Sequence, residues 1–96
     1  MEGDLIIRIS DELRALADAE MDASTLLQHV QKTVGRRDCT LICLQCFRTA
    51  FGTSIGSISS IGGWCGFGGE LSDNQVNIHV YPVLEKYRLS KREIKK

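Results

Sequence analysis

Proline occurs once in this chain, at Pro82, and no apolar run approaches the roughly twenty residues needed to cross a bilayer. The first absence argues against a Pro-rich linker or a disordered segment, and 43% hydrophobic residues is the composition of a folded domain. The second excludes a membrane-spanning helix. Net charge is lacking too: 12 Lys and Arg residues balance 12 Asp and Glu residues. A chain without overall basic character, whose aromatics do not interleave with its cations, is a poor candidate for nucleic-acid binding. The acidic N-terminal region also lacks the basic start of a secretory signal, so a cytoplasmic protein is expected.

What is present is segregated. Residues 1–22 carry seven carboxylates against Arg8 and Arg14, a net −5, while residues 86–96 carry six Lys and Arg side chains against Glu93, a net +5. Such polarity suits an internal contact, a head-to-tail subunit contact or a basic tail for an acidic partner. Ninety-six residues suit one domain; residues 1–89 are expected to form it and residues 90–96 a frayed basic tail.

Hydrophobic periodicity predicts an all-α fold. Leu5, Ile6, Ile9, Leu13, Leu16 and Ala17 recur at steps of three and four between Asp4 and Met21, as on one face of an amphipathic helix, although Leu5–Ile9 also admits a short strand. Asp22 or Ser24 is placed to cap a second helix striped by Ala23, Leu26, Leu27, Val30 and Val34 and stopped by Gly35. Asp38 is placed to cap a third, about 38–51, apolar nearly all round and therefore expected at the centre. Thr53 is placed to cap a short helix in which Ile55, Ile58 and Ile61 fall at steps of three. Ser72 and Gln75 form a capping box for a last helix. Within it, the alternation of Val76, Ile78 and Val80 admits an edge strand ending before Pro82, an interruption that costs about 3 kcal/mol in a regular helix interior. The expected architecture is a compact bundle of four to five short helices, with a Gly-rich connector at 62–71.

Seven of the nine glycines lie between Gly52 and Gly69, around the single tryptophan, Trp64. Gly66-Phe67-Gly68 opens like a dinucleotide fingerprint, but the pattern fails at Leu71 and no G-K-[ST] follows any glycine, so phosphate binding is not expected. Two roles remain for the aromatics. Trp64 and Phe67 fold back onto the helices as part of a connector, or they stand exposed as anchors for a protein partner.

Cys39, Cys43 and Cys46 follow a C-x3-C-x2-C spacing that resembles the iron–sulfur motif of the radical S-adenosylmethionine enzymes. The resemblance stops at those three residues, because that family implies a large α/β barrel-like fold with its ligands on a loop. On a helix the three fall on one face beside Leu44 and Phe47, as buried thiols do. Neither Cys65 nor His29 and His79 supplies the second close pair that a zinc site uses, and neither histidine is tied by motif to a nucleophile. No metal, cofactor or catalytic set is therefore expected. The function expected is a non-catalytic module that docks to a protein partner or to itself, through Trp64, Phe67, Arg36, Arg37, Lys86 and Arg88. A nucleic-acid regulator using a helix-turn-helix-like pair, and a cysteine-based metal or redox protein, are the alternatives.

Overall fold

A computed structural model describes residues 2–36 and 39–94, with side chains described over 3–36 and 39–90. It is an all-α bundle of α1 (Glu2–Asp18), α2 (Ala23–Val34), α3 (Thr40–Phe51) and α4 (Asp73–Ile94). Two 3-10 segments, Gly56–Gly63 and Cys65–Phe67, join α3 to α4. No strand occurs among the described residues.

The helix ends show why the sequence divides where it does. Asp22 caps α2, its Oδ1 accepting from the Thr25 N–H (3.2 Å), the Thr25 hydroxyl (2.7 Å) and the Ser24 hydroxyl (3.2 Å). These bonds favour the carboxylate, the Thr25 hydroxyl most, and hold its pKa below the ordinary value. Gly35 and Gly52 close α2 and α3 in left-handed conformations. The cap expected of Asp38 lies outside the described residues. At the end of α1 the Met21 N–H bonds Leu16 O and the Glu20 N–H bonds Ala17 O, the two bonds of a Schellman stop. Its left-handed position is held by Glu20 (φ 63°), where glycine is the usual occupant.

Two expectations change character. Leu5–Ile9 is helical, not a strand, and residues 56–63 wind as a 3-10 helix. With three residues per turn, a step of three returns to the same line, so Ile58 and Ile61 are both fully buried, whereas Ile55, expected on the same stripe, precedes the segment and is exposed. The start of that segment is tied by Ser54, whose Oγ accepts from the Ser57 N–H (3.3 Å), not by Thr53. In α4 the capping box forms as read, with Ser72 N–H to Gln75 Oε1 at 2.9 Å and Gln75 N–H to Ser72 Oγ at 3.2 Å. Val76 and Val80 would face inward in a strand or a helix alike; Ile78 separates the two, and it is 71% exposed. The helix continues through Pro82 to Ile94, so the backbone of 90–94 extends α4 where a frayed tail was expected. Lys95 and Lys96 lie outside the described residues.

The core gathers Ile9, Leu13, Leu26, Leu27, Phe47, Ile58, Ile61 and Leu84 from every helix, each worth about 1.5–3 kcal/mol on burial. Neighbouring helices also satisfy one another's ends. The Ser10 hydroxyl reaches Cys46 O (3.2 Å), and Arg14 reaches Thr49 O (3.4 Å) and Ala50 O (3.3 Å), which sets α1 and α3 side by side in the same direction. Arg88 donates to Ala17 O (2.9 Å) in the last turn of α1 and to Met21 O (3.0 Å) just past it. Asn77 Oδ1 accepts from Ser24 N (2.7 Å) at the start of α2. The Thr49 and Ala50 carbonyls and the Ser24 amide, which their own helices leave orphaned, thus find partners across the bundle.

Candidate functional site

The Gly-rich connector is closed on itself. The Leu71 N–H bonds Gly63 O (2.8 Å), and the Cys65 N–H bonds Leu71 O (2.7 Å), so residues 63–71 return to their starting point. Two glycines make that closure possible. A Cβ at Gly69 would stand 2.1 Å from the Gly63 carbonyl oxygen, and one at Gly66 would stand 2.4 Å from the Trp64 ring. Trp64 is 2% exposed, meets Phe67 edge-on at 5.0 Å between ring centroids, and donates its indole N–H to Asp73 Oδ1 at 2.6 Å. The Gln31 amide of α2 ties the loop down through Gly66 O (2.8 Å). Trp64 is therefore spent on packing, and the half-buried Phe67 lies against the core with it.

A second aromatic pair is built differently. Phe51, the last residue of α3, meets Tyr87 of α4 edge-on at 5.0 Å and 71°. Beside this pair the chain leaves α3 through Gly52 and Thr53 and enters the first 3-10 segment, which packs against α4. A groove of about 570 Å³ opens there, floored by Phe51, Val83 and Tyr87 and rimmed by His79, Lys86 and Ser90. None of its lining residues carries a carboxylate. Among the described residues, Lys86 forms no ion pair.

The six residues singled out from sequence separate. Lys86 lies at the groove rim and is exposed. Arg88, one residue from Tyr87, turns the other way and spends its guanidinium on α1. Arg36 is exposed past the end of α2, on a shallow surface with Lys32 and Gln28, and Arg37 lies outside the described residues. Phe51, Val83 and Tyr87 were not singled out. Each reads as an ordinary core position on its own helix, and each is half-buried where it lines the groove.

The thiols form no site of that kind. Cys39, Cys43 and Cys46 are free and buried, and Cys65 is free and exposed. Burial, reinforced by the neighbouring thiols, pushes Cys43 well above the ordinary thiol range and Cys46 up to about 11. Neutral, inaccessible sulfur is a poor nucleophile and a poor ligand at neutral pH. Among the described residues no three His, Cys, Asp or Glu side chains converge on a point where a metal ion would fit. No described helix is long and apolar enough to cross a membrane. No known protein family, curated protein or solved structure matches this chain.

Proposed function

We propose that this chain is a non-catalytic module that docks to another protein chain through the groove between α4 and the α3 corner. The observation that carries the reading is the groove itself: an aromatic and aliphatic floor, a polar rim and an exposed lysine with no ion-pair partner among the described residues. Such a layout matches the anatomy of interface centres, where Tyr, Phe and aliphatic anchors sit in a pocket and charge lies at the edge. Free cysteines also agree with a reducing, cytoplasmic setting.

Photo-crosslinking tests this. A photoreactive residue at Lys86, compared with one at Lys32 on the far surface, is expected to give protein adducts in source-cell extract at the first position and none at the second. Adducts at Lys32 alone, or no protein adduct at Lys86, would contradict the reading.

A further inference from the structure

We infer that the groove takes an acidic peptide segment, an extended run of the partner chain that sets an apolar side chain on the floor and its carboxylates toward Lys86 and Arg48. The inference rests on the docking reading above and names the chemistry of the partner. Its first support is the shape of the site. His79, Pro82, Val83, Lys86 and Ser90 recur at steps of three and four, so the groove follows α4 for eleven residues, about 16 Å. A trough of that length holds about five residues of extended chain at about 3.3 Å each.

The second support is charge. No lining residue carries a carboxylate, while the polar side chains Thr53, His79, Lys86 and Ser90 each bring a hydrogen-bond donor. Arg48 is exposed three residues before Phe51, a neighbouring position on the α3 surface, and neither it nor Lys86 forms an ion pair among the described residues. The carboxylates closest to the site are otherwise placed. Glu85 precedes Lys86 but stands about 100° round α4 and is outside the lining, and Asp11, held near the end of α3, is bridged by Arg14. An acidic segment with an apolar side chain answers both features at once: the side chain buried against Phe51, Val83 and Tyr87 supplies affinity, and the cations select and orient the segment. A basic segment would bring like charges together. A nucleic acid is disfavoured by the zero net charge of the chain.

The test selects short random peptides by phage display against the immobilised full chain, then follows a labelled synthetic copy of an enriched peptide by fluorescence anisotropy. The expected selection carries an apolar side chain and a net negative charge, and its binding falls in high salt. Lys86→Glu is expected to weaken the peptide at least about tenfold, Arg48→Glu to a smaller degree, and Lys32→Glu on the far surface not at all. All three positions are exposed, and unchanged melting curves would verify that the fold is intact. The deciding arm exchanges the peptide's carboxylates for lysines: binding should drop on the wild-type chain and recover on Lys86→Glu, a swap that misfolding could not produce. The inference is overturned if no peptide is enriched, if the enriched peptides are neutral or basic, or if neither Lys86→Glu nor Arg48→Glu disturbs the acidic ones. A labelled oligothymidylate run in parallel is expected to stay free; its binding in place of the peptides would assign the groove to nucleic acid and overturn the inference as well. The docking reading is judged separately by the crosslink. A protein adduct at Lys86 alongside neutral or basic selected peptides keeps that reading and removes only the acidic partner, whereas the absence of an adduct removes both.

Discussion

Trp64 with Phe67 and Phe51 with Tyr87 are the same kind of contact in two settings, each an edge-on pair 5.0 Å between centroids. The first pair is enclosed: the indole N–H is taken by Asp73, the ring is covered, and the glycine-rich backbone folds tightly around it. The second pair borders open space: Phe51 and Tyr87 are both half-buried and line the groove between the end of α3 and α4. An aromatic in a glycine-rich stretch invites a binding role, yet what separates anchor from filler is whether neighbouring backbone closes over it. Here glycine does the closing.

The comparison breaks most sharply at Trp64. Trp64→Ala removes a covered ring and its indole bond to Asp73, so it should lower unfolding free energy by about 3–5 kcal/mol in urea titration. If the loss is under about 1 kcal/mol, the connector is not the closed structure described. Gly69→Ala follows, with an expected loss of about 2 kcal/mol or more, because the added carbon overlaps the Gly63 carbonyl and the loop must open to admit it. Differential scanning fluorimetry would read this as a clear fall in Tm, and an unchanged Tm would refute the close approach.

The thiols sharpen the same division between closed and open. A native thiol titration should show Cys65 reacting at once and Cys39, Cys43 and Cys46 only as fast as the fold opens. Raised thiol pKa values also carry a sign for stability. The folded chain keeps Cys43 and Cys46 protonated after the unfolded chain begins to ionise, near about pH 8.5. Their contribution is therefore intact below that pH and is lost as pH rises through the folded values, that of Cys46 lying at about 11. Cys46→Ala should flatten that alkaline decline, and an equal slope in the variant would remove burial as its cause. The smallest effect is expected on the open side. Lys86→Glu should change stability by no more than about 0.5 kcal/mol while altering association, since the side chain is exposed and forms no ion pair among the described residues.

Much of the bundle was legible because its signals are local. Asp22 and Gly35 bound α2, and the Ser72–Gln75 reciprocal cap opens α4, each through bonds within four residues. Ile58 and Ile61 were legible as one stripe, although the step of three describes a 3-10 turn better than an α-helix. The stop after α1 was less visible, since Glu20 occupies a left-handed position that carries no glycine signal.

The roles of Arg14, Asn77 and Arg88 were not legible at all. Each serves a helix end between 35 and 71 residues away, and a cation or amide on a helix face looks the same in sequence whether solvent or a distant carbonyl receives it. The groove was hidden for a related reason. Lys86 could be singled out as part of a basic stretch, but Phe51, Val83 and Tyr87 differ from buried neighbours only by what fails to cover them.

One measurement bears on both aromatic pairs at once: amide, methyl and indole NMR shifts of the labelled chain followed as the protein captured by crosslinking at Lys86 is added. Shifts should move at Phe51, Val83, Lys86 and Tyr87, while the Trp64 indole N–H stays fixed. Movement of that indole resonance with a silent groove would contradict the account, because it would make the enclosed pair the working surface and the open pair idle.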